Sequence, residues 1–361
     1  MVEIIQGDCL KSLRNLAPKS VNTCVTSPPY FGLRDYGDEG QLGLEETPEE
    51  FVENLVRVFK EVKRVLRDDG TVWLNLGDTY CGTGHKGNHV DPKHKKGRNA
   101  QKTAVNNKLD GFKSKDLIGI PWRVAFALQQ DGWYLRQDII WHKPNPMPES
   151  VRDRCTKSHE YIFLLSKSKK YYYDNEAIKE PVKKDWGIRD RTNGKYHNKG
   201  SGLSPHTGLT KSYEKRNKRS VWIVTTKPFK GAHFAVFPMD LIEPCVLAGC
   251  PEKVCVECGE PYERVMQQPK PLEIKRGRRA GTDDRLIGGV LDKYRKENPP
   301  VDLGLKKQCN CKTDKSKGGT VLDPFGGSGT TGLVAKNNNR NAILLELNPK
   351  YIEIAEARIV A

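Results

Sequence analysis

The sequence predicts a doubly wound α/β domain built on a mostly parallel sheet. Short β-rich runs alternate with helical patterns almost throughout the 361 residues, which is how strands become covered on both faces by crossover helices. Hydrophobic residues make up 36% and charged residues 29%, enough apolar material for a real core. Three segments break the alternation: two basic loops and a stretch from about 251 to 319, read as insertions into one domain.

Glu3–Gln6 and Asn22–Thr26 read as strands. The helix that starts after Thr47 has that residue as N-cap, Pro48 at its first position and Glu50 closing a capping box. Phe51, Leu55, Val58, Phe59, Val62 and Leu66 recur at helical spacing, and Gly70 is the expected stop. Thr71–Leu76 is then a strand, Pro121–Gln130 a helix, and Leu135–Trp141 and Tyr161–Leu165 are buried strands. Met239–Ala248 is helical. The tail repeats the unit: strand Thr320–Leu322, glycine turn, helix to about Asn337, strand Asn341–Leu345, helix to the end. The expected partition is a catalytic half at 1–173, an insertion at 174–220, a second half of the same domain at 221–250 and 320–361, and a third insertion at 251–319.

Charge narrows the partner class. The chain carries 61 Lys+Arg against 45 Asp+Glu, net +16. Residues 81–115 hold nine basic side chains against two acidic, and residues 176–220 hold twelve against five. Those two loops account for +14, so the remainder is nearly neutral. A neutral body with two basic loops suits a phosphate backbone; solvated loops without a partner are the plain alternative. No stretch approaches the ~18 apolar residues of a membrane helix, and the start MVEIIQGDCL lacks the basic and apolar regions of a signal peptide. A cytoplasmic protein without membrane attachment is expected.

Two strand ends carry the chemistry. Residues 320–331, TVLDPFGGSGTT, run from a strand to an acidic residue, Asp323, then through Gly326, Gly327 and Gly329 into a helix opened by Thr330 and Thr331. Glycines there let the backbone approach a ligand closely. About twenty residues on, the next strand ends at Glu346, placed like the carboxylate that binds ribose hydroxyls in nucleotide-binding βαβ units. Neither a Walker A loop nor G-x-G-x-x-G fits. At the other strand end, Thr26-Ser27-Pro28-Pro29-Tyr30 must leave the sheet on a stiff path, because two prolines cannot continue a central strand. A serine oxygen and the Pro28 carbonyl can each accept one N–H of a planar amine, turning its lone pair toward an electrophile, and Tyr30 can stack on a base taken out of a duplex.

DPFGGSGTT resembles the S-adenosylmethionine motif of amino-group DNA methyltransferases, and TSPPY resembles their catalytic motif. The resemblance spans about 250 residues, including Trp133–Pro148 and Ser158–Ser166, and its motif order is that of the circularly permuted β class. It implies a Rossmann-like methyltransferase fold with S-adenosylmethionine as cofactor. Phe325, Gly327, Gly329 and Thr330 would line that cofactor, Asp323 would face its amino-acid end, Glu346 its ribose and Asp8 of QGDCL its adenine amine. Phe234 in GAHFAVFP would cover the methionine moiety. Ser27, Pro28, Pro29 and Tyr30 would act on a flipped base. The serine form favours cytosine N4, with adenine N6 as the alternative. Residues 174–220 would recognise the target, with Lys215, Arg216, Lys218 and Arg219 as DNA contacts. The partner is then double-stranded DNA, the enzyme a bacterial, archaeal or phage protein acting as a monomer or homodimer, with a cognate restriction endonuclease as a conceivable companion. An RNA or protein-amide methyltransferase, or a non-catalytic nucleic-acid binding module, are the competing classes. Pro244-Cys245 imitates the nucleophile of cytosine-C5 methyltransferases, but its apolar helical run, LIEPCVLAGC, reads as core.

Ten cysteines with no export signal argue against a disulfide framework. Cys9, Cys24, Cys81 and Cys155 read as free thiols, mainly buried. Cys255-x-x-Cys258-Gly and Cys309-x-Cys311 are two paired-thiolate clips at the ends of the third insertion, the form of a structural Zn2+ site; unligated thiols are the alternative. The basic run Lys275–Arg279 lies between them.

Overall fold

The computed structural model describes residues 1–33, 40–82, 109–181, 215–227, 237–270, 294, 297–298 and 300–360. Eight strands form the central sheet: β1 (Val2–Gln6), β2 (Val21–Thr26), β3 (Leu66–Leu76), β4 (Tyr134–His142), β5 (His159–Ser166), β8 (Val221–Ile223), β13 (Thr320–Asp323) and β14 (Asn341–Glu346). Their spatial order is β1-β14-β13-β2-β3-β5-β4-β8. Only β5 runs antiparallel to its neighbours; the other five pairings are parallel. The fold is therefore the Rossmann-like α/β sheet expected, with one reversed strand that the alternation did not reveal.

Helices cover both faces. On one side α1 (Cys9–Asn15) packs on α2 (Pro48–Val65), and α2 on α3 (Ile120–Gln130); on the other, α4 (Met239–Gly249) packs on α5 (Thr330–Asn337), and α5 on α6 (Pro349–Val360). The predicted stripe Phe51, Leu55, Val58, Phe59 and Val62 is buried against the sheet. Thr47 Oγ1 accepts from the Glu50 N–H at 3.2 Å as the N-cap reading required. α4 ends in a glycine because a Cβ at Gly249 would lie 2.5 Å from Trp73 Nε1.

Two expectations need correction. α2 stops at Val65, not Gly70, and the chain turns directly into β3, where Leu66 pairs with Val21. Gly70 serves close packing instead: a Cβ there would meet Leu66 Cδ2 at 2.9 Å and the Asn22 carbonyl at 3.1 Å. The first half of β4 is largely exposed, because β4 lies near the sheet's far edge, between β5 and the three-residue β8.

Two compact units emerge. The first contains 1–177, 219–261 and 309–361; the second contains 178–218 and 262–308. In the first, besides the sheet, β9 (Val254–Cys255) pairs with β12 (Ser316–Lys317). In the second, β6 (Glu180–Pro181) pairs with β7 (Lys215–Arg216), and β10 (Glu263–Gln267) with β11 (Val301–Lys306). No helix among the described residues is long and apolar enough to cross a membrane.

Candidate active site

The predicted site residues converge on one edge of the first unit. Asp8 follows β1, Glu346 ends β14, Asp323 ends β13 and Ser27 follows β2, and these four strands are consecutive neighbours. All four run parallel, so their C-terminal ends share the edge where such sheets bind ligands. At about 4.8 Å per strand, the row from β1 to β2 is roughly 14 Å long.

The middle of the row is tied together by Asp323, whose carboxylate is 1% exposed. Thr26 Oγ1, immediately before Ser27, donates to Oδ1 at 2.6 Å; Thr331 Oγ1, in the first turn of α5, donates to Oδ2 at 2.6 Å; the Phe325 N–H donates to Oδ1 at 3.1 Å. Three donors, one at the end of β2 and two from the glycine turn and the helix it opens, thus converge on one buried carboxylate. Burial raises its pKa above the ordinary value, and the three hydrogen bonds only partly offset that.

Glu346 has a similar relation to the glycine turn. It accepts from the Gly327 N–H at 2.7 Å and the Asn348 N–H at 2.9 Å while remaining half-buried, and burial raises its pKa too. Gly327, with φ 50°, and Phe325 are also half-buried. Gly329 is buried with φ 77°, and a Cβ would strike Ala355 Cβ at 2.8 Å, so this glycine lets α5 and α6 approach. Thr330 is buried, its hydroxyl 3.1 Å from Arg358 Nη1. Asp8 caps α1 through the Lys11 N–H at 2.8 Å and is half-buried. Phe234 lies outside the described residues.

Beyond β2, Pro28 is buried, while Ser27, Pro29 and Tyr30 are half-buried. Ser27 Oγ lies 3.5 Å from the Tyr30 hydroxyl. With its proton directed there, its lone pairs are available to an incoming N–H.

A model of the N6/N4 DNA methylases matches residues 21–256 and 307–357. The chain belongs to that family. Type II methyltransferase M.Cfr9I of Citrobacter freundii is 42% identical to this methylase over 357 residues, covering 99% of this chain and 87% of the relative. M.SmaI of Serratia marcescens is 39% identical over 358 residues, 99% and 90% of the two chains. Among solved structures, PvuII DNA methyltransferase (cytosine-N4-specific) aligns over 100% of this chain and 86% of its own, with TM-score 0.53 and 16% identity, a likeness of fold. This chain is accordingly a DNA methyltransferase of the N4/N6 family.

Elsewhere in the methylase, Cys255, Cys258, Cys309 and Cys311 bring their sulfurs within 4.8 Å of one another, all inside the first unit. Cys255 accepts from the Gly259 N–H at 2.9 Å through its carbonyl, closing the knuckle, and Arg67 at the start of β3 reaches the Cys258 carbonyl at 3.3 Å and Glu260 at 3.2 Å. Cys245 is buried in α4, as read from the sequence; Cys155, expected with the buried thiols, is exposed because it sits in an irregular surface segment. Of the basic residues, Arg216 Nε is 2.9 Å from Glu180 in the second unit, and the Arg219 carbonyl accepts from Trp222 Nε1 in the first. Lys215 is exposed. Most of both basic loops, 83–108 and 182–214, and the run 275–279 lie outside the described residues.

Sequence reasoning assigned no role to the side chains that meet Tyr30: Asn75 at the end of β3 and Glu160 at the start of β5, with Lys143 paired to Glu160. The available signal was the polar opening of HEYIFLLS, an otherwise apolar strand.

Proposed function

We propose that this methylase transfers a methyl group from S-adenosylmethionine to the exocyclic amine of a base flipped out of duplex DNA, with cytosine N4 as the acceptor. The observation that carries the reading is the row of strand ends: Asp8, Glu346 and the glycine turn lead along the sheet edge to Ser27, and Asp323 bonds the last two together. The residues fit the cofactor. Glu346 orders the turn through one N–H and keeps carboxylate lone pairs for two ribose hydroxyls, Asp8 has an oxygen left for an amine, and Phe325 offers an apolar face. Bound there, S-adenosylmethionine supplies a methyl group activated by a sulfonium. Ser27 Oγ and the Pro28 carbonyl each take one N–H of the base amine, Tyr30 stacks on its ring, and catalysis is chiefly positioning. Gly329, Thr330 and Asp323 support the pocket from behind.

Motif order supports the β class, and the Type II relatives support a place in a restriction-modification system; Ser27 favours cytosine N4 over adenine N6. The basic loops and Lys215, Arg216, Lys218 and Arg219 are assigned to DNA on their charge. The cysteine cluster is assigned to a structural Zn2+. Zn–S bonds of about 2.3 Å place tetrahedral sulfurs about 3.8 Å apart, which thiols already within 4.8 Å reach by small shifts. The deciding experiment incubates the protein with labelled S-adenosylmethionine and duplex DNA, then digests the product. N4-methylcytosine is expected; N6-methyladenine overturns the base assignment, and label only in RNA or protein overturns the function.

A further inference from the structure

Tyr30 is gripped at its far end by residues outside both motifs. Its hydroxyl lies 2.9 Å from Glu160 Oε2 and 3.2 Å from Asn75 Oδ1. With one proton to give, the charged acceptor at the shorter distance takes it, the stronger kind of hydrogen bond. Glu160 is itself fixed: its other oxygen pairs with Lys143, both side chains being more than four-fifths buried, and the Lys143 ammonium stands 4.2 Å from the Trp141 ring centroid. Asn75 is 4% exposed and donates to the Tyr161 carbonyl at 3.0 Å, which points its own carbonyl at Tyr30. The ring also lies hard against Gly77, where a Cβ would be 2.4 Å from Tyr30 Cε2.

A tyrosine that only filled space would not need a carboxylate, its counter-ion and an oriented amide at its tip. We propose that Glu160 is a positioning residue: it accepts the Tyr30 hydroxyl, holds the ring plane against Gly77 and so presets the surface on which the target base stacks. Lys143 neutralises the carboxylate, which would otherwise be costly to keep away from water. The inference rests on the proposed reading of Tyr30 as the stacking residue. It predicts that Glu160 acts through the hydroxyl and not on the base.

The test is a double-mutant cycle on the full-length protein, with single-turnover methyl transfer to duplex DNA at saturating S-adenosylmethionine. Glu160→Ala and Tyr30→Phe should each slow transfer by about tenfold or more, as loss of a hydrogen bond to a charged group implies. The double variant should be no slower than the worse single one. Glu160→Gln keeps an oxygen acceptor and should recover most of the rate, while cofactor affinity by calorimetry stays at the wild-type value throughout. Additive losses, or Glu160→Gln as slow as Glu160→Ala, would overturn the proposal, since the charge would then act on the substrate. Fluorine NMR of Tyr30→3-fluorotyrosine gives a readout independent of activity: one sharp resonance alone and with Glu160→Gln, a broadened or split one with Glu160→Ala. An unchanged resonance in Glu160→Ala overturns it equally. Wild-type protein that methylates no DNA would instead sink the functional reading, a result distinct from either.

Discussion

Replacing Asp323 by alanine removes the acceptor for three donors, and the structure says what that costs. Thr331 has a second acceptor in reach, the Val25 carbonyl at 3.4 Å, so the loss concentrates on the Thr26 hydroxyl and the Phe325 N–H. Each buried donor left unpaired costs about 1–3 kcal/mol, and relief from burying a carboxylate returns part of it, leaving a net destabilisation of about 2–4 kcal/mol. For a chain of this size, at about 2.1 cal/mol/K of unfolding entropy per residue, that is a fall in Tm on the order of 3–5 °C. Asp323→Asn should cost about 1 kcal/mol or less: its oxygen still accepts from Thr26 and Phe325, and its amide donates to Thr331 once that hydroxyl turns to Val25. The sign with pH follows from the raised pKa. Ionising Asp323 costs the folded state more than the unfolded chain, so the group's contribution is greatest below its ordinary 3.8 and is lost as pH rises through the higher folded value. Asp323→Asn, which cannot ionise, should gain stability relative to wild type as pH rises from about 4. Denaturant unfolding at several pH values together with cofactor calorimetry measures both effects. If Asp323→Ala kept wild-type stability, the three hydrogen bonds would not hold the two segments together; if Asp323→Asn lost cofactor affinity, the carboxylate would be touching the cofactor's amino-acid end.

Four further outcomes are expected. Ser27→Ala should slow methyl transfer by about tenfold or more with cofactor affinity intact, because it removes an acceptor for the base amine only; calorimetry beside single-turnover rates checks this. Glu346→Ala should weaken S-adenosylmethionine binding tenfold or more, about 1.4 kcal/mol, and wild-type affinity would move the ribose contact elsewhere. DNA affinity should fall steeply with salt, at a log–log slope near −0.9 per phosphate neutralised, and charge-neutral replacements of Lys215, Arg216, Lys218 and Arg219 should flatten it. Freshly purified protein should carry close to one Zn2+ per chain by elemental analysis, lost in Cys258→Ser/Cys311→Ser; hydrogen exchange should then quicken first in β9 and β12, which meet beside the cysteines.

What could be read in the sequence was whatever disturbs a local pattern. Two prolines directly after a strand, three glycines between a strand and a helix, and a carboxylate at the next strand end each violate the rule for their element, and each falls on the site edge. Paired cysteines were legible for the same reason. Glu160 was not, because its importance depends on a partner 130 positions away and on β5 running antiparallel beside β3, which brings the polar start of one strand to the end of the other. Gly329 was legible as special but not in its purpose: the sequence cannot tell a glycine that admits a ligand from one that admits Ala355. The end of α2 was misread because Gly70 is a familiar stop, whereas the pairing of Leu66 with Val21, a tertiary contact, ends the helix a turn earlier.

The row of strand ends also explains why the order of the motifs along the chain is free. β1 and β14 come from opposite ends of the sequence yet pair residue for residue, with Gln6 opposite Glu346, so the two carboxylates assigned to the adenosine side are neighbours only in space. β13 and β2 are likewise adjacent although their contacting residues, Asp323 and Thr26, are 297 positions apart. A parallel sheet requires that each strand bring its C-terminal end to the same edge, and nothing in that requirement refers to which strand is made first. On the proposed reading, what cannot be free is the contact between the glycine turn and the Ser-Pro-Pro-Tyr turn, since an error of even an ångström between methyl donor and amine would be costly to transfer. That contact is where the protein buries Asp323, 1% exposed, with three donors on its carboxylate. Asp323 thus performs across two distant segments what a covalent connection would perform in a chain with the motifs side by side.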